Sequence, residues 1–164
     1  MSAYMELATP MTSRECLLDA LADVGFTAGK VEVHPEQAAL VGYDGSAREQ
    51  RAEIIIRKAH VGASSNDVGF AATPTGYRLI VSGFDGFRFG TIWLAQVSAR
   101  YEYHRHVREQ RLAAEERRRL EEERRRLVEA QRQSVLDAAK KQGYRIQEVR
   151  EGEAVRLVLT KRVY

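Results

Sequence analysis

The stretch VREQRLAAEERRRLEEERRRLVEAQRQS, running from Val107 to Ser134, contains no glycine, no proline and only two β-branched residues. Strong helix formers fill the rest, and their charges are ordered to support a helix. Glu115–Arg119, Glu121–Arg125 and Glu122–Arg126 are spaced four apart with the acid on the favourable N-terminal side. Arg117–Glu121, Arg118–Glu122 and Arg119–Glu123 continue the ladder in the opposite order. Each pair contributes only ~0.2–0.5 kcal/mol, but many overlap. Upstream, Ile92, Trp93, Leu94, Val97 and Tyr101 mark an apolar stripe at helical spacing, and downstream Val135, Leu136, Ala138 and Ala139 restore one. These features predict a single helix from about Thr91 to Gln142.

Such a helix limits how the chain can close its fold. About fifty residues at ~1.5 Å each span ~75 Å, well beyond the diameter of a small domain. The sequence after it is a predicted hairpin, Tyr144–Val149 and Ala154–Thr160 across Glu151-Gly152, too small to be stable alone. The expected organisation is a main α/β lobe over 1–105, a charged helical insertion over 106–134, and a helix end with hairpin over 135–164. If the helix is straight, the hairpin completes the lobe of a second chain in a domain-swapped homodimer. A helical hairpin within one chain is the alternative, although no turn residue marks its tip. Leu120 and Leu127 make half a coiled-coil seam, with Arg or Glu at the intervening core positions, so a solvated charged helix is favoured over a tight coiled coil.

The remaining residues read as an α+β fold, a mostly antiparallel sheet backed by two helices, the second of them the long one. Tyr4–Ala8 alternates as a strand. Thr12 and Glu15 form a capping box for a first helix over 13–24, with Leu17, Leu18, Leu21 and Val24 at helical spacing and Gly25 as its stop. Val31–His34 is a strand ended by Pro35. A turn at Tyr43-Asp44-Gly45 leads to a strand Arg51–Ala59, whose run Ile54-Ile55-Ile56 predicts burial on both faces. Asp67–Ala71 and Tyr77–Ser82 flank a hairpin at Thr73-Pro74-Thr75-Gly76, and Gly83, Gly86 and Gly90 punctuate a loop. Leu18-Asp19-Ala20 before Gly25-Phe26 recurs as Leu136-Asp137-Ala138 before Gly143-Tyr144, each read as a helix end, a glycine cap and an aromatic residue opening a strand. This is either shared helix-capping chemistry or a duplicated helix–strand–strand unit.

Several motifs stand in a suggestive order: Arg14-Glu15-Cys16-Leu17, Gly42-Tyr43-Asp44-Gly45, Ala52-Glu53-Ile54-Ile55-Ile56-Arg57, Asn66-Asp67-Val68-Gly69-Phe70, Arg100-Tyr101-Glu102-Tyr103 and Gln142-Gly143-Tyr144. In this order they resemble the plastid and cyanobacterial family called hypothetical chloroplast reading frame 35, or domain of unknown function 1257. The resemblance covers about 1–105 and 134–162. It implies that much of 106–133 is an insertion, because the family's second helix is short. It also implies an accessory or adaptor role beside AAA-type ATPases, by analogy.

Composition narrows the function classes. The chain is 44% hydrophobic and 30% charged, with a net charge of +3, so a uniformly basic nucleic-acid surface is not implied. No run approaches ~18 apolar residues, so no membrane span is expected, and the N-terminus reads without a secretory signal. Cys16 is the sole cysteine, on an apolar helix face; it fits a small core residue in a reducing, cytoplasmic setting. His104 and His106 lie two apart on a helix and point to different sides, and His34 and His60 complete no ligand spacing. Gly42-Tyr43-Asp44-Gly45 and Gly83-Phe84-Asp85-Gly86 read as turns rather than phosphate cradles, and Asp67 beside Gly69 as a loop cap in preference to a partner contact. No catalytic, cofactor-binding or metal-ligating residue is therefore assigned. Arg117, Arg118, Arg119, Arg124, Arg125 and Arg126 are the candidate contacts to a partner or to phosphate, with their adjacent glutamates opposing the latter. The sequence reads as a non-enzymatic structural or adaptor protein with the helix as spacer and dimerisation element. Nucleic-acid binding along the arginines and an enzyme of unassigned class are the alternatives.

Overall fold

A computed structural model describes residues 3–161. The chain divides into two compact units, one ending at Gln110 and the other beginning at Arg111. In the first, β1 (Tyr4–Ala8), β2 (Val31–Val41), β3 (Ala47–Ile56), β4 (Val68–Thr73) and β5 (Gly76–Ser82) form one sheet in the order β1-β5-β4-β3-β2. Every neighbouring pair in it is antiparallel.

The triple isoleucine explains how this sheet is covered. Ile54 and Ile56 face the helix layer, and Ile55 faces the other way; all three are fully buried. On the helix side they meet Cys16, Leu17, Ala20 and Leu21 of α1 (Arg14–Asp23) and Trp93, Leu94, Val97 and Tyr101 from the start of α4 (Thr91–Lys141). Trp93 gathers the aromatic rings, with Phe89 at 5.2 Å, Phe26 at 6.0 Å and Phe70 at 6.1 Å between centroids. On the opposite face Ile55 packs in a smaller cluster with Leu40, Ala52, Ala71 and Ile80. The fold is α+β, an antiparallel sheet backed by two helices, and the second helix runs on for 51 residues.

Five local expectations are corrected. The N-cap of α1 is Ser13, not Thr12: its hydroxyl accepts from the Cys16 amide at 3.3 Å. Pro35 does not end β2. It sits where the β2–β3 register breaks between Val33 and Ala38, and on an edge strand a missing N–H leaves no ladder bond unmade. The strand expected to reach Ala59 stops at Ile56, because the Asp67 carboxylate takes the Lys58 amide at 2.7 Å and the chain turns into α2 (Lys58–Val61). The glycine-rich segment before the long helix is not all loop, since Gly86–Phe89 form α3. Phe26 opens no strand and packs on the aromatic cluster instead.

The second unit holds the exposed run of α4 and a two-stranded sheet of β6 (Tyr144–Glu151) and β7 (Ala154–Lys161). Gly143 leaves the helix at φ 79° and Gly25 leaves α1 at φ 102°, so both copies of the short repeat end a helix through a left-handed glycine. Ile146 pairs with Leu159 and Glu148 with Leu157, which places Tyr144, Ile146, Val155, Leu157 and Leu159 on one hairpin face. Glu148 on that face is ion-paired to Arg132 of α4. Tyr144, Ile146 and Leu157 are half-buried there, whereas Val155 and Leu159 stay 43% and 42% exposed.

Candidate functional site

Three places concentrate polar or unpartnered groups. The first is a network at one end of the five-stranded sheet. Asp85 and Asp67 are almost fully buried, as are Asn66 and Ser82. One Asp85 oxygen accepts from the Ser82 hydroxyl at 2.6 Å, the Asn66 amide at 3.0 Å and the Asn66 side-chain amide at 3.1 Å. Burial opposes ionisation of Asp85, yet the donated hydrogen bonds from Ser82 and Asn66 hold its pKa below the usual carboxylate value. Asp67 accepts from the Val41 amide at 2.8 Å, the Arg57 guanidinium at 2.7 Å and the Lys58 amide at 2.7 Å. Arg57 also binds Glu32 at 2.6 Å, which lowers the Glu32 pKa and raises its own.

These carboxylates are engaged by their own fold. Asp67 ties β2 and α2 to the entrance of β4, and Asp85 ties the β5 exit to the segment before β4. The sequence offered Asp67 as a loop cap, which is its place here, but gave no sign of the Asp85–Asn66–Ser82 set beyond an aspartate in a glycine turn. The histidines are dispersed. His34 contacts Glu32, His104 contacts Asp23 at 2.7 Å, and His106 contacts Gln110. Among the described residues no three His, Cys, Asp or Glu side chains come together as metal ligands.

The second place is the junction of α1 with α4. Asp23 holds both His104 and Arg100, the latter at 2.6 Å, and these two bonds depress its pKa. Arg108 pairs with Glu15, and the Tyr101 hydroxyl accepts the Thr12 and Ser13 amides at 3.0 and 2.9 Å. Sequence reading placed Tyr101 on the apolar stripe of the helix; its ring is core and its hydroxyl anchors the start of α1. At the start of the same helix lies a shallow groove of about 370 Å³ lined by Glu6, Leu7, Ala8, Thr91, Leu94, Ala95 and Ser98. It borders the free edge of β1. Because Thr9 and Ala3 bond toward β5 and its exit, the alternation turns the amides and carbonyls of Tyr4, Glu6 and Ala8 outward.

The third place is the middle of α4. Every residue from 109 to 131 is exposed, including Leu112, Leu120, Leu127 and Val128 at 52–61%. Arg117, Arg118, Arg119, Arg124, Arg125 and Arg126 all lie in this run. Only Glu121–Arg125 of the expected ion-pair ladder is closed, at 3.0 Å, and Arg117 donates to the Ala113 carbonyl. Among the described residues Arg118, Arg119, Arg124 and Arg126 have no carboxylate within 4.0 Å. No helix of the described chain is long and apolar enough to cross a membrane. No family model matches the chain, and neither does any curated protein or solved structure.

Proposed function

We propose that this chain is a non-enzymatic structural or adaptor protein in which α4 serves as spacer and dimerisation element. The observation that carries the reading is the run 109–131. A helix exposed at every position earns no stability from a core of its own, so its sequence has to sustain it or a partner has to cover it. The helix formers and interleaved charges meet the first need, and the exposed leucines suit the second. The buried carboxylates support the same reading, since their lone pairs are committed to backbone and side-chain donors of the lobe. By its resemblance to the chloroplast reading frame 35 family, the partner class we propose is an AAA-type ATPase, with the cytoplasm as the setting.

Pull-down from native lysate in mild salt should return a protein partner in stoichiometric amount. A deletion of 106–133, the charged stretch between the two apolar stripes, should fold its lobe and lose that assembly. Recovery of no partner, or equal recovery with the deletion, would remove the spacer role.

Nucleic-acid binding along α4 is a second reading, favoured by the exposure of all six arginines. It requires affinity that climbs as salt falls, because phosphate contacts release counterions. A filter-binding titration that stays flat at low salt eliminates it.

A further inference from the structure

The charge order of the exposed middle of α4, besides supporting a single helix, is complementary to itself when a second chain runs in the opposite direction. Counting outward from Leu120, each of the five residues before it finds a residue of opposite sign equally far after it. Arg119 answers Glu121, Arg118 answers Glu122, Arg117 answers Glu123, Glu116 answers Arg124 and Glu115 answers Arg125. Ala114 then falls opposite Arg126 and interrupts the order, which resumes with Ala113 opposite Leu127, Leu112 opposite Val128 and Arg111 opposite Glu129. Beyond that, Gln110 meets Ala130 and Glu109 meets Gln131, neither a pair of opposite sign, and Arg108 would meet Arg132 as a like charge. Each of those two is already held by a carboxylate of its own unit, Glu15 for Arg108 and Glu148 for Arg132.

We propose that residues 109–131 form an isologous, antiparallel interface with a second copy of this chain, its twofold axis passing at Leu120. This deepens the dimerising-spacer reading and rests on it. In such an interface residue i meets residue j and j meets i, so one antisymmetric sequence supplies both halves. A parallel pairing would set each charge against its own copy and is repelled.

Helical geometry selects which mirrored pairs touch. At 3.6 residues per turn, positions 113, 116, 117, 123, 124 and 127 share the Leu120 side, while Arg118 and Glu122 point away. The seam thus stacks Leu120 on Leu120, Ala113 on Leu127, Glu116 on Arg124 and Arg117 on Glu123 of the second copy. Two leucines and alternating ion pairs make a weaker seam than a full heptad repeat, but one specific in direction and register.

The test is charge exchange on the full chain, read as mass by light scattering at micromolar concentration. The double variant Arg117→Glu, Arg124→Glu makes the seam acidic throughout, and Glu116→Arg, Glu123→Arg makes it basic throughout. The wild type should have twice the chain mass and each double variant half that, whereas an equimolar mixture of the two should regain the dimer. The rescue separates broken pairing from failed folding. Separately, Leu120→Cys should form an interchain disulfide on mild oxidation and Glu116→Cys should not; the native Cys16 is buried and does not compete.

A mixture that stays monomeric, or double variants that both stay dimeric, overturns the interface while leaving a dimerising spacer open to other surfaces. Absence of the Leu120→Cys cross-link in a dimeric protein overturns the axis at Leu120. A monomeric wild type overturns both this interface and the dimerising role, and one that shifts only on adding duplex DNA at low salt assigns the arginines to phosphate instead.

Discussion

Removing one oxygen atom, by Tyr101→Phe, tests whether α1 is anchored to α4 through hydrogen bonds or only through packing. The ring is 2% exposed and stays in place in the variant, so no cavity forms. What is lost is the acceptor for two amides, Thr12 at 3.0 Å and Ser13 at 2.9 Å. Both precede the first turn of α1, where the backbone donors have no partner within the helix. Each bond contributes ~0.5–1.5 kcal/mol net, so the pair is worth ~1–3 kcal/mol, the partial exposure of the amides keeping it below the cost of a fully buried orphan. For a lobe of this size that is about 4–13 °C in Tm.

The assay has to see this lobe and not the exposed helix, which dominates far-ultraviolet circular dichroism. Trp93 is the only tryptophan and lies 8% exposed in the core between sheet and helices, so its fluorescence follows lobe unfolding. Tyr77→Phe is the control. The Tyr77 hydroxyl accepts only from Arg14, at 3.5 Å, and its loss should move Tm by about 1 °C or less. If Tyr101→Phe melts within ~1 °C of the wild type, water replaces the hydroxyl at no cost and the anchoring argument fails.

Three further outcomes follow from the same geometry. Asp85→Ala strands the Ser82 hydroxyl and two Asn66 donors in a buried place and should cost about 3–5 kcal/mol in a urea melt. Gly76→Ala sets a Cβ 2.3 Å from the Thr9 carbonyl oxygen at φ 142° and should cost at least ~2 kcal/mol, whereas alanine at Gly29 meets nothing within 4 Å and should be near neutral. Asp85, Glu32 and Asp23 all have depressed pKa values. Their stabilisation is therefore full above the unfolded carboxylate range near ~4 and is lost as pH falls through the depressed folded values. The Trp93 melt should change little from these groups between pH ~5 and ~7 and drop below pH ~4, and Asp85→Asn, with no proton to take up there, should drop less over the acid step.

The elements were readable wherever one local rule acted alone. Alternation fixed Tyr4–Ala8, helix formers with interleaved charge fixed the long helix, and Ile54-Ile55-Ile56 announced a strand covered on both faces. Misreadings arose where a distant group decided the outcome. Pro35 stops a central strand but not an edge, and edge position depends on sheet order, which no local window contains. The strand after Ile56 ends because Asp67 reaches across to the Lys58 amide. Thr12 looked like the cap because the spacing to Glu15 fits, yet the hydroxyl that accepts a first-turn amide, that of Cys16, belongs to Ser13. The Asp85–Asn66–Ser82 set joins residues up to 19 apart, with nothing in the spacing to announce it.

The blocks of three along α4 also answer a question that helix propensity leaves open. A solitary exposed helix needs opposite charges three or four residues apart, and many arrangements satisfy that. EERRR before Leu120 and EEERR after it satisfy it too, but they add a reversal of sign about one leucine that a single helix has no use for. If internal pairing were the whole purpose, the ladder should be closed along its length. Only Glu121–Arg125 is closed, and Arg124 and Glu123, which face the Leu120 side, are left with their charges outward. Exposed pairs of this kind are each worth ~1 kcal/mol or less, so exchanging an internal partner for one on a second chain costs little. Such a helix can persist alone and still prefer its own copy in one direction, and the reversal at Leu120 is the part of the sequence that tells these two roles apart.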